Sequence, residues 1–108
     1  MRILLDNNLH ARFGRELDPR HEIVHCRDLG WQALKNGTLV READVRFDVM
    51  LTIDKNMAFQ TSLKGLRLAV LVLDAKNNGL AELRRFVPSI EEALPGLAPG
   101  EFAWLRLP

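Results

Sequence analysis

Val49-Met50-Leu51-Thr52-Ile53-Asp54 and, after a short polar interval, Leu68-Ala69-Val70-Leu71-Val72-Leu73 decide the fold of this chain. Each is an almost unbroken run of apolar and β-branched side chains, too short for an ordinary buried helix. Strands read this way when helices cover both faces of a parallel sheet, so that neither face needs polar residues. The first of the two runs ends abruptly on a carboxylate. Ile3-Leu4-Leu5, followed at once by Asp6-Asn7-Asn8, repeats that pattern near the start of the chain.

Working outward from these runs, Glu22 to Cys26 alternates polar and apolar residues around β-branched Ile23 and Val24, as a second strand does. Phe102 to Leu107 reads as the last strand. The intervals carry helical spacing. Leu9, Phe13 and Leu17 predict a helix closed by Asp18-Pro19, since the residue before proline is pushed out of α geometry. Leu39, Val40, Ala43 and Phe47 predict another through about residue 46, with Asn36 as its N-cap. A short helix is expected over Ala58–Leu63, ended by Gly65. A further one runs from Leu80 to Phe86, and a last piece has Pro88 in its first turn, where the missing N–H costs nothing. Strands alternating with helices imply a single α/β domain, three layers deep, with a mostly parallel sheet of four to five strands and right-handed crossovers.

Bulk composition narrows the function classes. A chain of 108 residues, 47% of them hydrophobic, makes one domain that buries about two-thirds of its unfolded surface. The formal net charge of +1 leaves no global basic field for nucleic acid, so any such contact is a local patch. Cys26 is the only cysteine, which excludes an internal disulfide and paired-cysteine zinc sites, and fits a reducing compartment. The first apolar run is too short for a signal sequence, and no run reaches membrane-spanning length. The expectation is a soluble cytoplasmic protein.

Chemistry is expected where strands end, because polar groups at the carboxyl ends of an open α/β sheet face a shared crevice. Asp6 and Asp54 occupy such ends. Two carboxylates about 4 Å apart repel by about 4 kcal/mol at an effective dielectric of 20, so a site that gathers them calls for a cation. Oxygen donors with few others point to Mg²⁺ or Mn²⁺, which can activate water and neutralise charge on a phosphodiester. The competing reading makes each aspartate a helix cap accepting backbone N–H groups.

Three stretches resemble, in order, segments of the small PIN-like family, related to the RNA-cleaving toxins of bacterial toxin–antitoxin operons. They are LLDNNL (residues 4–9), HEIVHCRDLGWQALKNGTLV (residues 21–40) and DVMLTIDKNMAFQ (residues 48–60). The resemblance covers most of residues 1–75 and is looser beyond. It implies a PIN-like fold, a Mg²⁺- or Mn²⁺-dependent ribonuclease and an antitoxin partner. It also implies metal ligands at Asp6 and Asp54. The chain departs from the usual pattern at three places: Asn7 stands for a glutamate, Lys35-Asn36-Gly37 for an acid opening the helix before the third strand, and Asn56 for a second aspartate. The GWxxxKNG and DKNxxxQ forms look like those of a distinct branch, and this alone singles out Gln60. Under this reading Asn36 and Asn56 orient the metal or its water, while Lys35 or Lys55 contacts phosphate or RNA.

Amide oxygens carry no charge, so the three asparagines open a second reading. In it the fold is kept, the metal is lost, and the chain binds RNA or protein. A third reading takes Phe102-Ala103-Trp104-Leu105 as an edge strand that pairs with a second copy in a homodimer. Other residues fall to duller roles. His21 and His25 stand roughly 13 Å apart on a strand, too far to share a metal. Glu42 and Asp44 read as a solvated helix face beside Arg41 and Arg46. Trp31 reads as a loop anchor, and Trp104 is free to stack on a base.

Overall fold

The computed structural model of the chain describes all of residues 1–108. Five strands, β1 (Arg2–Leu5), β2 (Glu22–His25), β3 (Val49–Thr52), β4 (Ala69–Leu73) and β5 (Phe102–Leu105), form one sheet in the order β2-β1-β3-β4-β5. Every neighbouring pair is parallel, in keeping with the expected mostly parallel sheet of four to five strands. Four α-helices complete the fold: α1 (Asn36–Arg46), α2 (Met57–Gln60), α3 (Leu80–Arg84) and α4 (Val87–Ala93). No helix is long and apolar enough to cross a membrane.

The continuous apolar runs are explained by burial on both faces. All five residues of β4 and all four of β3 are buried. Successive side chains point to opposite faces, so the two faces feed two cores. Ile3, Leu5, Val49, Leu51, Leu71 and Leu73 point into one, closed by Phe13 and by Leu83, Phe86 and Ile90 of α3 and α4. Leu4, Met50, Val70 and Val72 point into the other, closed by Leu39, Val40 and Ala43 of α1 and by Met57 of α2. At about 1.5–3 kcal/mol for each fully buried large side chain, β4 and its neighbours dominate the folding energy.

The predicted helix over Leu9–Leu17 contracts to a single 3-10 turn, Phe13–Glu16. Gly14 sits inside it, and a Cβ there would come within 3.0 Å of Ile23 Cγ2, so the segment lies flat against β2 instead of winding as a cylinder. Because this connection covers so little, α3 and α4 cross over the same face. The β3–β4 connection runs over one face and the β4–β5 connection over the other. Both step one strand in the same direction, so the two crossovers have opposite hands and the expected uniform handedness fails.

Asn36 does not cap α1. It is the helix's first residue, and Lys35 is the N-cap, with its carbonyl accepting the Leu39 N–H at 2.8 Å and its side chain making no capping bond. Asp44 is less solvated than its helix position implies. Its Oδ1 accepts the N–H groups of Arg67 and Leu68 at 2.7 and 2.8 Å, pinning α1 to the approach to β4.

Candidate functional site

The chain turns back between β1 and β3. From β1 it moves outward to β2, then returns past β1 to β3 and continues away. In doubly wound sheets this reversal opens a crevice beyond the carboxyl ends of the two strands, where ligands bind. Asp6 follows β1 and Asp54 follows β3, so topology alone brings both aspartates to that crevice. The start of α1 and the whole of α2 lie at the same end of the sheet.

Thr52, the last residue of β3 and fully buried, organises the pair. Its hydroxyl donates to Asp6 Oδ2 at 2.8 Å and accepts from the Asp54 backbone N–H at 3.0 Å and from Asn8 Nδ2 at 3.1 Å. One donor and two lone pairs are thereby all used. Asn8 Oδ1 in turn accepts the Ile53 N–H at 3.4 Å. Asp6 Oδ1 accepts the Asn7 N–H at 2.8 Å, and Asp54 Oδ1 accepts the Asn56 N–H at 3.0 Å. Both aspartates accept neighbouring backbone N–H groups, but neither is the helix cap of the competing reading: Arg12 precedes the first 3-10 turn and Asn56 is the N-cap of α2.

Asp6 is only 6% exposed. Burial lifts its pKa above the ordinary carboxylate value, and the charge of Asp54 adds to the rise. The bonds from Thr52 and Asn7 and the proximity of His25 pull it back only in part. A carboxylate raised by desolvation and by a like charge has the signature of a site waiting for a counter-charge.

The other expected residues scatter. Asn7 is exposed and lines a cavity of about 200 Å³ with Leu9, His25, Arg27 and Gln32, on the far side of β1 from Asp54. Asn8 lies in the turn that the Leu9 N–H closes on the Asp6 carbonyl, and it holds the place beside the carboxylates, with Nδ2 3.5 Å from Asp6 Oδ2. Asn36 is half-buried at the start of α1 and bonds to neither aspartate, Asn56 and Gln60 are exposed at the two ends of α2, and Lys35 is exposed. Lys55 turns away from Asp54: its Nζ pairs with Asp74 Oδ1 at 2.9 Å and donates to the Ala75 carbonyl at 3.2 Å. His25 is buried in the second strand, with Nδ1 accepting the Arg27 N–H at 3.1 Å, so Nε2 carries the proton it donates to the Leu9 carbonyl at 2.9 Å.

The donor set is the two carboxylates of Asp6 and Asp54; Asn8 turns its Nδ2 towards Asp6 and Thr52 and its Oδ1 to the Ile53 N–H, so its amide oxygen is not offered to a metal. No group of three or more His, Cys, Asp and Glu side chains gathers anywhere in the fold. Mg²⁺ is commonly held by one or two carboxylates, with waters and substrate phosphates filling the remaining positions, so this set fits Mg²⁺ or Mn²⁺ bound together with a phosphate. Neither aspartate lines an enclosed cavity. The largest concavity, about 560 Å³, lies at the opposite ends of the strands, beside Arg2, Phe47 and Arg67. The comparisons with family models, curated proteins and solved structures find no match to this chain.

Proposed function

We propose that the chain is a toxin-type, metal-dependent ribonuclease of a toxin–antitoxin pair, built on a PIN-like fold. The observation that carries this reading is that one Thr52 hydroxyl at the switch point of the sheet binds the Asp6 carboxylate and the backbone N–H of Asp54.

Bound at this site, Mg²⁺ or Mn²⁺ supplies charge neutralisation on a phosphodiester and a water of lowered pKa. The chain's own residues do the rest. Thr52 and the Asn7 N–H hold the Asp6 carboxylate in one orientation, so it is presented without further ordering. Asp54 keeps Oδ2 free of intramolecular bonds while Oδ1 is fixed by Asn56. Asn8 positions Thr52 and Ile53 and so sets the spacing of the two strand ends. Lys35, exposed at this end of the sheet, is suited to a phosphate contact without sequence reading.

Asp6→Asn and Asp54→Asn are expected to abolish RNA cleavage in the presence of Mn²⁺ while leaving the circular dichroism spectrum unchanged. Undiminished cleavage by both purified variants overturns the proposal. The amides at Asn7, Asn36 and Asn56 favour a second reading, an RNA- or protein-binding module that holds no metal. Calorimetric titration separates the two: saturable Mn²⁺ binding lost in Asp54→Asn contradicts the module.

A further inference from the structure

Phe59 is the most exposed large hydrophobic side chain in the fold, at 83%. It stands on α2, five residues after Asp54, so the two Cα atoms are at most about 18 Å apart. Its ring lies 6.4 Å from that of Trp104 on β5, tilted by 49°, and the Arg106 guanidinium sits 5.6 Å over the Trp104 ring. Arg106 reaches Asp74 Oδ2 at 3.7 Å, and Asp74 holds Lys55, the chain neighbour of Asp54. A continuous band of contacts thus runs from the exposed ring, through an aromatic–cation pair, back to the candidate metal site. Two cations against one carboxylate leave its electrostatics positive.

We propose that Phe59, Trp104 and Arg106 form a stacking platform for bases of single-stranded RNA flanking the cleaved phosphodiester. The inference rests on the ribonuclease reading for the identity of its ligand. Every base offers a π-face, and aromatic rings interleaved with a guanidinium are the chemistry that binds unpaired bases irrespective of sequence. A duplex hides those faces. A second copy of the chain is the poorer occupant: an exposed phenylalanine offers about 150 Å² of apolar contact, against about 800 Å² per partner in a stable interface. A two-fold contact there would also bring Arg106 towards its own copy.

The test is fluorescence anisotropy of a labelled uridine octamer with EDTA present, so that neither metal nor cleavage enters. Phe59→Ala is expected to weaken binding by about 5- to 150-fold, the range found when a stacking ring is removed. Arg106→Ala weakens it less. In Trp31→Phe, where Trp104 is the sole tryptophan, the oligomer quenches emission. Phe59→Ala binding like the parent protein overturns the platform, as does equal affinity for duplex RNA, binding of single-stranded DNA alone, or no binding by the parent. A dimer that Phe59→Ala dissociates overturns it in favour of self-association. Loss of binding in Phe59→Ala, in a protein that never cleaves RNA with Mn²⁺, upholds the platform and removes the nuclease.

Discussion

Thr52 Oγ1 donates to Asp6 Oδ2 at 2.8 Å, so a single buried hydroxyl ties the carboxyl end of β3 to that of β1. The bond fixes the carboxylate that the candidate site most depends on, and it is also part of what holds the switch point together. Function and stability therefore meet in this pair, and both can be measured.

Thr52→Val keeps the shape of the side chain and removes the hydroxyl. Asp6 Oδ2, the Asp54 N–H and Asn8 Nδ2 then lose their shared partner. Leaving buried polar groups unpaired costs about 1–3 kcal/mol, and urea denaturation is expected to show a loss of that size. Thr52→Ser, which keeps the hydroxyl, recovers most of it. A valine variant as stable as the parent contradicts this role.

The raised pKa of Asp6 makes a signed prediction. In the folded state burial favours the protonated form, so the folded chain binds this proton more tightly than the unfolded chain. The stabilisation is complete below the ordinary carboxylate value of 3.8 and is lost as pH rises through the elevated folded value. Thermal melts of the parent and of Asp6→Asn, compared from pH ~4 to pH ~8, are expected to diverge, with the parent losing ground as pH rises. Added Mn²⁺ narrows that gap if the metal binds there. A gap that is constant with pH refutes the assignment.

Cys26 is fully buried, and burial pushes its thiol up to about 12, with the Asp6 charge adding to the effect. Thiolate, not thiol, is the reactive form. Iodoacetamide at pH ~8 is therefore expected to leave Cys26 unmodified in the native protein and to alkylate it once guanidinium unfolds the chain. Mass spectrometry reads the outcome directly, and rapid native labelling contradicts it.

Lys55 holds Asp74 below the ordinary carboxylate range, chiefly through their hydrogen bond. Lys55→Ala is expected to raise the Asp74 pKa in a carbon-13 NMR titration. If Lys55 instead serves the phosphate, the same variant leaves Asp74 unmoved and weakens RNA binding.

Gly100 has φ +74°, and a Cβ there would stand 3.1 Å from the Leu66 carbonyl oxygen. Gly100→Ala is expected to cost at least about 1–2 kcal/mol, the penalty for a left-handed L-residue, with the contact adding to it. Gly96→Ala meets nothing within 4 Å and is not left-handed, so its change should stay within about 0.5 kcal/mol. Chemical denaturation of the two variants separates backbone strain from mere loss of glycine.

Much of this architecture is legible before any coordinates. The runs at Val49–Ile53 and Leu68–Leu73 match β3 and β4 to within a residue, because continuous apolar character has few other solutions at that length. Pro88 marks the first turn of α4, as its fixed φ and missing N–H require. The predicted helix over Leu9–Leu17 is where local reading fails. Spacing at Leu9, Phe13 and Leu17 satisfies a helix, but irregular turns bury the same three side chains, and Gly14 removes the local preference that would decide between them.

What the sequence by itself determined is the set of buried strands, the α/β class and the aspartates at strand ends. Those follow from periodicity and chain direction, which are local. Only the tertiary structure decided that β1 and β3 are neighbours, that Asn8 rather than Asn7 stands beside Asp6, that Lys55 belongs to Asp74, and that Phe59 meets Trp104. Each of these depends on which residues far apart in the chain are brought within a few ångströms, and that is set by how two cores are filled from both faces of one sheet.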